Sequence, residues 1–163
     1  MTRERTYTWA DPREVAMSAA RVSGIEFLSL VGRGELPLPP ALETLGINPL
    51  QVGAGWIEFE LMPQEWHYNP LGSVHGGVLS TLADTALGCA VHSMLPAGTR
   101  YTSLDLTIKF TRAATVDSGP LRCRGELVSI GRRTATAEAR TTDSRGRIIA
   151  HATTTCLLIS DES

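Results

Sequence analysis

No apolar run in the chain approaches the roughly 18–20 residues that a membrane-spanning helix needs, which predicts a protein without a membrane partner. Strong charge of either sign is also missing. Fifteen Lys and Arg stand against 17 Asp and Glu, for a net charge of −2, so no basic field exists to recruit nucleic acid or an anionic membrane surface. Cysteine is sparse: Cys89, Cys123 and Cys156 are widely spaced and form no C-x-x-C pair. That excludes a disulfide framework and a thiolate zinc site, and fits a reduced, cytoplasmic chain whose cysteines serve as small apolar residues. The first residues, Met1 to Arg5, are charged and no apolar segment follows them, so no signal pattern is read there. There is no G-x-S-x-G elbow, no H-E-x-x-H and no Walker or Rossmann glycine pattern. Neither a metal nor a cofactor is expected.

What remains is a patterned chain of 163 residues, a length that suits one domain with a sizeable core. Residues 1 to about 10 read as a frayed or docked arm. Asp11-Pro12 is a helix start, with the Asp capping and the Pro at the first helical position. Val15 to Leu30 reads as one helical stretch with Met17, Ala20, Ile25, Phe27 and Leu28 as core candidates. Pro37, Pro39 and Pro40 argue against regular helix and for an extended connector. From Leu45 to Leu61 the pattern is strand-like, with Trp56, Ile57, Phe59 and Leu61 set among Glu58 and Glu60, and Gly53 to Gly55 as the preceding turn. Val74 to Met94 is the strongest helix. Its apolar face is so wide that other structure must wrap it. Four strand-like runs follow: Tyr101–Thr111, Leu121–Ile130, Arg133–Thr142 and Arg147–Ile159. The sum is an α+β layout, with one antiparallel sheet curled against one buried helix.

The chemistry concentrates in residues 69–84, N-P-L-G-S-V-H-G-G-V-L-S-T-L-A-D. Asn69 and the N–H groups at a helix start can hold a carbonyl oxygen, and such a helix end favours developing negative charge. Asn69 equally fits an Asn-Pro turn, and His75 equally fits a loop cap. Gly76 and Gly77 cost little in a first turn and admit a ligand to the backbone. Asp84 lies among Leu82, Ala83, Ala86 and Leu87, where a carboxylate can act as base or nucleophile; a bond to Thr81 or Thr85 is the plainer reading. Gly76 and Asp84 are eight residues apart, which is about 12 Å along a helix and about 80° beyond two full turns. Both cannot touch one small reacting centre. Either they do separate jobs, or the site is built from two chains, with the helix start of one facing Asp84 of the other across a two-fold axis. Ser103, at the start of the next strand, could orient a water. Arg112 ends a strand, and Arg132 and Arg133 follow Gly131 in a turn, positions suited to phosphate or to plain solvated surface.

Together these residues resemble the hotdog-fold acyl-CoA thioesterases of the phenylacetate-degradation (PaaI-like) branch. Residues 69–84, Y-T-S-L-D-L-T-I-K-F-T-R-A (101–113) and V-S-I-G-R-R-T-A-T-A-E-A (128–139) carry the resemblance, which runs from about Leu36 to Leu158. It implies a hotdog domain over 41–160 preceded by an arm over 1–40, and hydrolysis of an acyl-CoA thioester. Asn69 and the Gly76 N–H would polarise the carbonyl, with His75 supporting that loop. Asp84 of the partner subunit would be the catalytic carboxylate, and Ser103, on the same subunit as Asp84, would orient water. Gly77, Arg112, Gly131, Arg132 and Arg133 would contact CoA. The family forms homodimers and often dimers of dimers. A non-catalytic acyl-CoA binding protein on the same fold is the alternative. A hotdog hydratase is weaker, because the His–Asp pairing of those relatives is not seen here.

Overall fold

A computed structural model describes residues 1–160 of the chain. Four α-helices, α1 (Pro12–Arg21), α2 (Gly24–Gly32), α3 (Pro40–Leu45) and α4 (Gly76–His92), accompany seven strands. The strands are β1 (Ile47–Gly53), β2 (Trp56–Leu61), β3 (Thr99–Ser103), β4 (Thr107–Phe110), β5 (Leu121–Ile130), β6 (Thr134–Thr142) and β7 (Ile148–Ser160). They form one antiparallel sheet in the order β1-β2-β5-β6-β7-β3, with β4 also paired to β7. The sheet wraps α4, which packs against β2, β5, β6, β7 and β3. This is the hotdog fold that the resemblance implied.

The wrap is close because both surfaces are small. Along β5, Leu121, Cys123 and Gly125 face inward while Arg122 and Glu126 face out. On β6 the inward residues are Ala135, Ala137, Ala139 and Thr141, and on β7 they include Ala152, Thr154 and Cys156. From the helix come Ala83, Ala86, Gly88 and Ala90, with Leu79, Leu82, Leu87 and Val91 filling the remaining width. At Gly125 the strand backbone comes so near the helix that an added Cβ would lie 2.2 Å from the Ala86 carbonyl oxygen.

Several elements depart from the sequence reading. The expected single helix over 15–30 is two. Val22 turns extended, and the Ser23 hydroxyl caps α2 by accepting from the Glu26 N–H at 3.4 Å. The new axis leaves Met17 (53% exposed) and Ala20 outside the core, whereas Phe27 and Leu28 are buried as expected. Pro40 does not prevent a helix but opens one. It occupies the first turn of α3, where its missing N–H costs nothing, and Gly46 ends that helix in the left-handed conformation at φ 67°. The run 101–111 is two strands, since the Asp105 carboxylate accepts the Thr155 N–H (2.9 Å) and its carbonyl accepts the Thr154 hydroxyl (2.6 Å), displacing the ladder at that point. The long helix begins at Gly76, two residues later than the apolar pattern, because His75 caps it.

Gly125→Ala should destabilise the fold by about 1–3 kcal/mol or more through overpacking against the Ala86 carbonyl. Urea unfolding measures this, and an unchanged midpoint would show that helix and strand separate more freely than the packing indicates.

Candidate active site

Helix α4 carries both chemical groups singled out in the sequence, and it presents them to different surroundings. At its start the His75 backbone N–H donates to the His67 carbonyl at 2.7 Å, and the His75 Nδ1 accepts the Gly77 N–H at 2.8 Å. An accepting Nδ1 puts the ring proton on Nε2. The Val78 and Leu79 N–H groups go to the His75 carbonyl. Among the described residues nothing accepts the Gly76 N–H, so one donor is left at the positive end of the helix. Asn69 closes the preceding turn. Its Oδ1 accepts from the Leu71 N–H (2.9 Å) and the Ser73 N–H (3.3 Å), and its Nδ2 donates to the Ser73 hydroxyl at 3.1 Å. The Asn-Pro turn and the loop cap are thus both real features of Asn69 and His75. Asn69 and Gly76 line one open groove of about 360 Å³ together with Phe110 and Arg112.

Asp84 faces elsewhere. It is half-buried, and the Ser103 hydroxyl donates to its Oδ1 at 2.9 Å. Neither Thr81 nor Thr85 makes that bond; the Thr81 hydroxyl donates to the Gly77 carbonyl instead. Asp84 and Ser103 stand between two spaces. On one side lies a shallow groove with Ser80, Thr81, Leu104 and Leu106. On the other is a cavity of about 220 Å³ walled by Phe27, Leu28 and Val31 of α2, Leu42 of α3 and Phe59 of β2. None of these three spaces among the described residues holds both Gly76 and Asp84, in keeping with the helix arithmetic. Leu79 also lines the Gly76 groove, whereas Leu87 and Val91 are core residues against the sheet, and Trp66 lies under the Arg5 guanidinium at 4.6 Å.

Cys89 lines the same cavity, yet it is no nucleophile. Burial pushes its thiol up to about 12, with a hydrogen bond from Tyr101 offsetting part of that rise. Gly88 admits the Tyr101 ring, since a Cβ there would sit 2.6 Å from it. Tyr101 in turn neighbours His92 (centroids 5.5 Å apart), and His92 neighbours Phe27 at 5.7 Å. This aromatic row binds α2 to α4, and sequence reading missed it; the one available signal was a glycine inside an otherwise good helix. His67 was also missed. It is buried, accepts the Gln64 N–H on Nδ1 at 3.1 Å and meets the Leu45 carbonyl through Nε2 at 2.9 Å, tying the pre-helix loop to the end of α3.

Gly131, Arg132 and Arg133 sit at the exposed β5–β6 hairpin tip, apart from these grooves. Among the described residues no three His, Cys, Asp or Glu side chains are placed to hold a metal ion, and no helix is long and apolar enough to cross a membrane.

A family model described as the thioesterase superfamily matches residues 71–150. A solved phenylacetic acid degradation-related protein from Ralstonia eutropha JMP134 is 32% identical, with a TM-score of 0.73 over 80% of this chain and 98% of its own. A hypothetical thioesterase from Streptococcus pneumoniae TIGR4, solved with coenzyme A, is 26% identical over 72% of this chain and 88% of its own, with a TM-score of 0.64. The Escherichia coli PaaI protein of the phenylacetic acid degradation operon shares the fold at 21% identity and a TM-score of 0.74, covering 85% of this chain and 97% of its own.

Burial holds both His67 and His92 below the ordinary histidine range, with the Leu45 carbonyl opposing the shift at His67. The unfolded chain therefore binds more protons than the folded one as pH falls through about 6.5. Stability is full above that value and declines below it, over a window that ends at the folded pKa values. Urea midpoints should be lower at pH 5.5 than at pH 7.5, and His92→Phe should lessen the difference. A flat profile over this range would contradict the assignment.

Proposed function

Because the chain belongs to the thioesterase superfamily, we propose that it hydrolyses acyl-CoA thioesters to the free acid and CoA. The observation that carries this reading is the Asp84–Ser103 pair at the mouth of an apolar cavity. The Ser103 hydroxyl fixes one carboxylate oxygen and leaves the other for a water. Asp84 takes a proton from that water as its oxygen adds to the thioester carbon. Negative charge then builds on the former carbonyl oxygen. The free N–H of Gly76 at the helix start, with Asn69 and His75 shaping the loop, stabilises it. Collapse expels the CoA thiolate, and the proton held by Asp84 returns to the leaving sulfur or to solvent.

Gly76 and Asp84 stand too far apart on α4 to serve one carbonyl, so the active unit is a homodimer with two composite sites. The open edge beyond β3 and β4 supports this assembly. Leu104 and Phe110 there are 58% and 51% exposed, and Phe110 lies beside Gly76, 3.1 Å from where its Cβ would be. CoA phosphates are assigned to Arg112, which shares the groove of Gly76, and to the hairpin residues Gly131, Arg132 and Arg133. The coenzyme A in the Streptococcus pneumoniae relative supports a CoA-type ligand.

Asp84→Asn should lower kcat by about 10²–10⁴-fold on a panel of acyl-CoA thioesters, in keeping with loss of a general base. Ser103→Ala should cost less, about tenfold, through lost orientation of the same carboxylate. Thiol release measured with a chromogenic thiol reagent decides. Near wild-type turnover of Asp84→Asn would refute the mechanism, and tight binding without thiol release by the wild type would favour the non-catalytic alternative. The doubly substituted Arg132→Ala, Arg133→Ala protein should raise KM for a CoA thioester by about 3–10-fold with kcat little changed, as expected for lost charge-assisted contacts. An unchanged KM would remove the hairpin from the CoA site.

A further inference from the structure

The cavity beside Asp84 is not walled by the sheet alone. Leu28 and Val31 of α2 and Leu42 of α3 line it, together with Pro49 of β1 and Phe59 of β2. These three helix residues are buried, and α2 is tied to α4 by the row Phe27–His92–Tyr101, whose two ends, Phe27 and Tyr101, also line the cavity. Gly24, at the start of α2, seats directly on the end of α4. Its N–H donates to the Leu95 carbonyl at 3.0 Å, and an added Cβ would lie 1.8 Å from the His92 carbonyl oxygen. The wall is therefore a fixed part of the fold and not a loosely draped arm.

Resting on the hydrolase reading above, we infer that this cavity receives the acyl group and that α2, through Leu28 and Val31, sets its maximum length. The polar end of the cavity is Asp84 with Ser103, so a thioester carbon placed there for attack directs its acyl chain toward α2. At about 30 Å³ for each group the size of a water molecule, 220 Å³ admits about seven such groups. The substrate class is a compact apolar acyl group of about six to eight carbons, linear or carrying one ring. A chain of twelve or more carbons meets Leu28 and Val31 before its carbonyl reaches Asp84. The walls beyond Asp84 and Ser103 are mainly apolar, so a second carboxylate or an ammonium on the acyl group is excluded by desolvation.

Saturated acyl-CoA thioesters from two to sixteen carbons, together with phenylacetyl-CoA and benzoyl-CoA, test this with wild type, Val31→Ala and Val31→Phe. Thiol release gives kcat/KM, and thermal melting checks that each variant is folded. Wild type should peak at six to eight carbons and fall about tenfold or more by twelve, since a chain that cannot be housed loses its productive placement. Val31→Ala should move the peak to longer chains, and Val31→Phe to shorter ones. A peak unmoved in folded variants, or a wild type that prefers sixteen carbons, overturns the proposal. If wild type releases no thiol from any thioester, the hydrolase reading fails separately, and calorimetric Kd values for the same series decide the cavity. The same length preference upholds it and a flat series overturns it. Should neither variant fold, an octanoyl-CoA with a terminal diazirine replaces them on wild type. Crosslinks within residues 24–32 support the wall, and crosslinks confined to the sheet overturn it.

Discussion

The contact between Gly125 and the Ala86 carbonyl sets the distance from helix to sheet, and most of the molecule follows from that distance. A side chain of any size at this crossing would lift α4 away from β5. Holding the helix close demands small residues around it, which explains the alanines of β6 and β7 and the alanines of the helix itself. Larger side chains, Ile57, Phe59, Leu61 and Leu121 of the strands and Leu79, Leu82 and Leu87 of the helix, fill the rest of the same buried core. A helix gripped this closely along its length is a rigid ruler. Its first turn and its third turn keep a fixed separation, so the donor at Gly76 and the carboxylate at Asp84 keep theirs.

That rigidity explains why one segment serves two surroundings. The helix start opens onto a groove with Phe110 and Arg112 near the edge of the sheet, whereas Asp84 opens onto the cavity under α2. Neither surrounding is complete as a hydrolytic site. One has a hydrogen-bond donor and a cation but no carboxylate, and the other has a carboxylate and an acyl-sized space but no oxyanion donor. In the proposed homodimer, two copies related by a two-fold axis would supply both sets twice, and the sheet edge that exposes Leu104 and Phe110 is where the copies would meet.

The parts legible in the sequence were those governed by local periodicity. The wide apolar face of α4 and the two-residue alternation in β2, β5, β6 and β7 appear where the pattern put them, and Asp11 caps α1 as its pairing with Pro12 indicated. Missed features depend on contacts distant in sequence. The break between β3 and β4 comes from Asp105 bonding to Thr154 and Thr155, fifty residues on, and nothing local in L-D-L announces it. The split of α1 from α2 follows from Gly24 docking on the end of α4. At the site, Asp84 was readable as a candidate from its apolar neighbours, but the hydrogen bond it accepts from Ser103 was not, because Ser103 lies on another element and the family resemblance placed it only on the same subunit, beside the water. The row Phe27, His92 and Tyr101 joins three separate elements and leaves no signature in any one of them.

The central claim is that Gly76 of one subunit and Asp84 of the other form each site, and complementation between two inactive chains tests it most directly. Gly76→Pro removes the proposed donor and keeps the helix start, because proline is well tolerated at the first helical position and His75 already has the extended backbone that precedes proline, while the Phe110 ring shifts slightly to admit the new side chain. Co-expressed with Asp84→Asn, it would form mixed dimers having one intact site and one doubly altered site. Random pairing should then restore about one quarter of wild-type activity from two chains that are each inactive alone. Mixed dimers verified by mass spectrometry that show no recovered thiol release would contradict the account and place the whole site within a single chain.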